Sequence, residues 1–307
     1  MTLRDGVALA CLVGAAALGG RLGELRRGAR TGAEAPAKEH ALVRLGVTAL
    51  GGLRAFVLDA LWCQAVGQWM RKEWDASEAT FDLIEALEPR VPEVYVVAAW
   101  TSCFQIAPEA ERRGHFEAAF GWMQAGLARL ERGRLRNPKS ARLPYVASFV
   151  LYQQCVREPY ASRLRAQGIE PLQRARELAV EASRLAPRNH AVRFWELQAH
   201  RAEASWLAEE GRRSAARAAL ERAEEARRAC LAALPPVLGE ADAPLRLFRE
   251  RVEGIGEILR RARAELAALS EGGDRAEGGA PCAEGSEPGG EGRAPGAARA
   301  GGEEEQR

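Results

Sequence analysis

The chain has 307 residues, 47% of them hydrophobic, enough to bury a sizeable core. Its 44 basic and 42 acidic residues are interspersed and leave a net charge of +2, which excludes the broad positive field of a nucleic-acid-binding protein. Aromatic residues make up 6%, β-branched residues are sparse, and no stretch sustains period-two alternation, so the expected class is all-α.

Residues 1–22 contain an uncharged segment of 15 residues, Gly6 to Gly20, between Asp5 and Arg21. A full helical span needs roughly 20 residues, so the segment is short. It reads as a membrane segment or signal anchor. A cleaved signal peptide and an apolar helix on the body are the alternatives. Arg21, Arg26, Arg27 and Arg30 follow it while only Arg4 precedes it. The positive-inside rule would then keep the body in the cytoplasm, against the usual sense of an export signal, and the side stays open. Residues 23–40, small and polar, read as a linker.

The body, residues 41–269, carries a repeat. The stretch Leu87-Glu88-Pro89-Arg90-Val91-Pro92-Glu93-Val94 is echoed around Pro138 and Pro187, and faintly around Pro235, at intervals of 49, 49 and 48 residues. Five residues after each of the first three prolines stand Val94, Leu143 and Val192; eight after stand Val97, Val146 and Trp195. These offsets share one helical face. Proline closes one helix, and Pro92 or the N-cap candidates Ser140 and Asn189 launch the next. Expected pairs are 75–88 with 92–107, 112–136 with 140–157, and 170–186 with 189–210. Helices near 213–233 and 244–269 follow. Stacked hairpins share the core that one hairpin cannot close, so the expected architecture is a right-handed α-solenoid. Residues 270–307, rich in Gly, Pro and charge, read as a disordered tail.

The L-x-P turns at Leu87-Glu88-Pro89 and Leu185-Ala186-Pro187, with small and large apolar residues along paired helices, resemble the tetratricopeptide-repeat class over roughly residues 55–235. The period is longer than the usual ~34 residues of that class, and its Trp-Leu-Gly and Tyr positions are not recovered. Gly51, Gly52, Arg54, Asp59, Leu61, Trp62, Pro89, Arg90, Pro92, Glu93, Val94 and Trp100 also resemble a group of bacterial membrane-anchored repeat proteins. That resemblance implies a single-pass inner-membrane anchor and a tethered scaffold with no assigned chemistry.

Arg54 and Asp59 lie in the apolar stretch Ala41–Val66, where a charge needs a partner: each other, or Arg90 and Glu93. Trp62, Trp69, Trp74 and Trp100 concentrate four of the seven tryptophans, as core, as a partner-binding groove, or as a membrane-interface belt. The candidate interaction surface is therefore Arg54, Asp59, Trp62, Arg90, Glu93 and Trp100. Arg90, Lys139 and Arg188 recur at one repeat position, either as solvated turn residues or as a basic edge for an acidic partner. The six cysteines stand singly and read as buried thiols, and the four histidines lack ligand spacing. No phosphate-loop, nucleophile-elbow or zinc-protease motif is present. No catalytic, cofactor-binding or metal residue is assigned and no cofactor is expected. The expected function is a non-enzymatic, membrane-tethered scaffold for a protein or peptide partner, without nucleic acid. An accessory subunit of an envelope enzyme complex is the rival, with an anionic-polymer or RNA binder third. A closed pocket gathering His190, His200 and carboxylates would favour chemistry; an aromatic groove would favour a peptide.

Overall fold

The computed structural model describes residues 54–235 and 242–277, and every regular element within them is helical. The expected membrane segment and linker, and the tail from 278 on, lie outside these residues. No helix among the described residues is long and apolar enough to cross a membrane.

In chain order the helices are α1 (Arg54–Met70), α2 (Trp74–Leu87), α3 (Pro92–Thr101), α4 (Ala107–Arg112), α5 (Phe116–Arg136), α6 (Arg142–Val150), α7 (Tyr160–Ala166), α8 (Pro171–Leu185), α9 (His190–Glu209), α10 (Arg213–Ala232) and α11 (Ala243–Glu277). Single π-helical turns, Ser102–Ile106 and Leu151–Cys155, follow α3 and α6. They begin 49 residues apart, one repeat. Before the first, Thr101 and Ser102 hydroxyls donate to the carbonyls of Val97 and Ala98 at 3.0 Å, a back-bonding that loosens the local helical ladder. Residues up to Leu266 form one compact unit and those from Ala267 a second. Helical backbone continues to Glu277, past the boundary expected at 269.

The three proline joints share one geometry. Glu88, Asn137 and Ala186 have φ, ψ of −123°, 65°; −130°, 62°; and −131°, 64°. Each donates its N–H to the carbonyl four residues back, on Ile84, Gly133 and Ala182. Three residues further on, Val91, Ser140 and Asn189 donate to the carbonyls of Glu88, Asn137 and Ala186. Pro92 starts α3, and the Asn189 side chain caps α9 by accepting from Ala191 and Val192 at 3.0 and 3.3 Å. Ser140 does not cap; α6 starts two residues later. The echo at Pro235 does not repeat the joint, because α10 ends on Ala233 at φ −79°, ψ −11°.

Between pairs the chain turns by a different device. Lys72, Gly114, Gly168 and Gly211 have φ of 59°, 79°, 76° and 72°. The next residue in each case donates to a carbonyl five back: Glu73 to Gln68, His115 to Ala110, Ile169 to Leu164, Arg212 to Leu207. This left-handed cap satisfies the last carbonyls of the helix. It also moves the first hairpin's end to Arg112 and the start of α5 to Phe116, where the sequence pattern alone suggests 107 and 112. Lys72 carries a Cβ into a conformation that costs about 1–2 kcal/mol. Lys72→Gly is expected to raise the stability read from urea unfolding by about 1 kcal/mol, and Gly114→Ala to lower it by a similar amount. An unchanged midpoint in Lys72→Gly would remove this account.

Neighbouring elements pack in sequence: α1 on α2, α5 on α3 and α6, α8 on α6 and α9, α9 on α10. Phe81, Ile84 and Leu87 are buried as the stripe requires, as are Val94, Leu143, Val146, Val192 and Trp195; Val97 stays exposed. Polar bonds tie each pair to the next over about one repeat. Arg142 reaches Glu93 at 3.0 Å, Arg157 reaches Glu111 at 2.6 Å, and Arg134 reaches Glu181 at 3.0 Å. Asn137 Nδ2 donates to the Pro89 carbonyl at 3.2 Å, so one joint braces the previous one. Packed pairs with repeated joints are compatible with a helical repeat.

Candidate interaction cleft

The second helix of each pair contributes to one aromatic line. Trp100 stacks on Phe104 at 4.2 Å and on Phe149 at 5.7 Å; Phe149 meets Trp195 at 5.0 Å, and Tyr152 meets Trp195 edge-on at 5.3 Å. Trp100 and Phe149 are 49 residues apart, so they occupy the same repeat position. Trp100 remains 40% exposed while Trp195 is buried, its indole N–H donating to Ser148 Oγ at 2.7 Å. Such rings supply large contact area at little entropic cost.

This line ends in a trough. Two adjoining clefts of about 570 and 550 Å³ share Tyr152, Gln153, Arg201 and Ile258. Phe194, Gln198, Arg251 and Ile255 line one, while Leu172, Ser205, Trp206 and Glu209 line the other. The π-helical turn Leu151–Cys155 places Tyr152 and Gln153 there; an extra residue in a turn re-aims the side chains that follow. Arg201 is half-buried and makes no hydrogen bond or ion pair with any described residue. Arg251 stands over the Phe194 ring at 5.6 Å. The trough thus combines apolar side chains such as Leu172, Ile255 and Ile258 with polar ones, and holds a cation without a carboxylate partner among the described residues.

The sequence-expected surface is divided rather than gathered. Arg54 donates to the Leu87 carbonyl at 2.5 Å and pairs with Glu88 at 3.1 Å, not with Asp59, which is exposed. Five residues apart on α1, the two point about 140° apart around the helix. Trp62 packs edge-on against buried Phe81 at 5.7 Å. Glu93 pairs with Arg142, and Arg90 is exposed, like Lys139 and Arg188. Trp100 alone of the six joins the aromatic line.

Composition and motif reading missed a buried charge cluster. Glu78, Asp82 and Glu85, at i, i+4 and i+7 on α2, converge on Arg129 of α5, whose side chain is 3% exposed. Ser102 Oγ donates to Glu78 at 2.9 Å and Arg132 lies 3.5 Å from Glu85. The available signal was three carboxylates interleaved with the core stripe Phe81 and Ile84, which demands a cation. Burial raises the Glu85 carboxyl above the usual carboxylate range, with Arg129 and Arg132 only partly opposing it. A carboxyl raised on folding stabilises fully below that range, and the contribution is lost as pH rises through the raised value. Wild-type stability relative to Glu85→Gln is therefore expected to fall with pH across that window, in urea titrations at several pH values. Parallel pH profiles would contradict it.

Nothing here gathers for metal or thiol chemistry. His200 is buried beside Glu203 at 3.8 Å, and His190 meets the Phe248 ring at 5.3 Å; neither lines the trough. Among the described residues no three His, Cys, Asp or Glu side chains could hold a metal ion. Cys103, Cys155 and Cys230 are buried, and burial pushes Cys155 to about 12 and Cys230 to about 11, whereas Cys63 is exposed. Cys11 and Cys282 lie outside the described residues. No protein-family model matches the chain, and no curated protein matches it.

Proposed function

We propose that the chain is a non-enzymatic interaction scaffold, a TPR-like right-handed α-solenoid held at a membrane by residues 1–22, whose second-helix face engages a protein partner. The observation that carries this reading is the aromatic line from Trp100 to Tyr152, running into a trough whose Arg201 has no polar partner among the described residues. Trp100 packs on the neighbouring pair through Phe149 and still leaves part of its ring exposed, which offers contact area to a partner. The equal 49-residue spacing and identical joints support the repeat architecture. The apolar run Gly6–Gly20 supports the tether.

The test is site-specific photocrosslinking of the full chain in its native membranes. A photoreactive residue at Trp100 or Phe149 is expected to capture one stoichiometric partner, while the same group at Arg184, on a first helix, is not. Equal capture at all three positions, or none, would remove the reading. A captured envelope enzyme would make the scaffold its accessory subunit.

A further inference from the structure

We propose that the trough reads an internal acidic residue of an extended partner segment, with Arg201 as the anchor and an apolar residue of the partner on either side. The proposal rests on the scaffold reading and adds the chemistry of what is bound.

Three observations carry it. Arg201 lies in the wall common to both clefts and has no counter-ion among the described residues. A half-buried guanidinium left without a carboxylate in a chain where most comparable arginines are paired is set for one from outside. Of the two other cations that line it, Arg157 is paired with Glu111 and Arg251 stands over a ring face, and among the described residues the one carboxylate in the lining, Glu209, sits eight residues beyond Arg201 on α9. The charge balance at the centre of the trough therefore favours an anion.

Spacing then fixes the segment. Phe194 precedes Arg201 by seven residues of α9, about 10 Å, and Trp206 follows it by five, about 7–8 Å. An extended chain rises about 3.3 Å per residue. Side chains of an extended chain alternate faces, so the partner residues that enter the trough with the anchored carboxylate stand two away on either side, about 6–7 Å toward each ring. The pattern is apolar, any, acidic, any, apolar, in one chain direction or the other. An open trough of this length suits a strand-like segment better than a compact small molecule.

The test is fluorescence anisotropy on the full chain with fluorescein-labelled, C-terminally amidated pentapeptides, Leu-Ala-Glu-Ala-Phe and its reversal, each beside a Gln-for-Glu version. One Glu peptide is expected to bind about tenfold or more tightly than its Gln version, as a charge-assisted pair implies. Arg201→Gln, which removes no hydrogen bond or ion pair to a described residue and should keep the helical far-UV spectrum, is expected to abolish that preference. Arg201→Glu is expected to turn the preference toward a Lys version. Absence of binding, equal affinity for Glu and Gln, or a preference that survives Arg201→Gln would overturn the proposal. So would a much tighter fit for peptides with a free C-terminal carboxylate, because the trough would then read a chain end. A photocrosslinked partner whose capture ignores Arg201→Gln would end this proposal and leave the scaffold reading standing.

Discussion

Arg129→Met is expected to destabilise the chain by about 3–5 kcal/mol at neutral pH, read from the urea midpoint with helicity as the signal. The methionine fills much of the same volume, so the loss is electrostatic. Glu78 and Glu85 have side chains 2% and 6% exposed, and Arg129 is their shared counter-ion. Removing it leaves buried carboxylates with no cation but the peripheral Arg132, which is far costlier than the net value of an intact pair. Two corollaries separate this cause from lost packing. The deficit of Arg129→Met is expected to shrink as pH falls and the carboxylates protonate. Adding Glu78→Gln and Glu85→Gln to Arg129→Met is expected to recover part of the loss, since contacting residues are not additive. A deficit that is pH-independent and unrelieved by the glutamines would show that shape, not charge, is what Arg129 supplies.

Gly133→Ala is expected to cost about 1–3 kcal/mol, although alanine is the better helix former by about 1 kcal/mol. A Cβ on Gly133 would stand 2.6 Å from Tyr95 Cγ, 2.9 Å from its Cβ and 3.0 Å from Leu143 Cδ2. Tyr95 is fully buried; its hydroxyl donates to the Pro89 carbonyl at 3.1 Å and accepts from Arg136 at 3.0 Å. The added methyl therefore presses on the ring that braces the first joint. Gly126 meets Cys103 Sγ and the Ala99 carbonyl in the same way, one heptad earlier on α5. Gly121→Ala, on the same helix with open space around it, is expected to stabilise by a few tenths to about 1 kcal/mol. Thermal unfolding of the two variants side by side checks the contrast. If Gly133→Ala and Gly121→Ala moved the melting temperature alike, close approach of α5 to α3 would not be the reason for glycine at 133.

The repeat was legible because its signals are short-range. A proline removes a donor and fixes φ wherever it stands, so Pro89, Pro138 and Pro187 impose one backbone on Glu88, Asn137 and Ala186 whatever their side chains. The stripes Phe81-Ile84-Leu87 and Leu143-Val146 follow from helical period alone. Boundaries shifted by a few residues at Gly114, whose left-handed cap is invisible to hydrophobic periodicity. The same reading placed two tryptophans and four charges on one surface because they are near in sequence. Folding assigns Trp62 to the core, Arg54 to the end of α2, Glu93 to the next pair and Trp100 to the aromatic line.

By itself, then, the sequence determined the helical class, the 49-residue period, the joints and the helices that flank them, all of which rest on interactions within one or two turns. Only the tertiary structure decided which charges meet. Arg129 finds Glu78 across 51 residues, and Arg201 finds none among the described residues, though both are arginines in amphipathic helices of similar composition. The difference lies in what each helix packs against. α2 turns three carboxylates toward Arg129, while the π-helical turn and α11 turn a tyrosine, a glutamine and isoleucines toward Arg201.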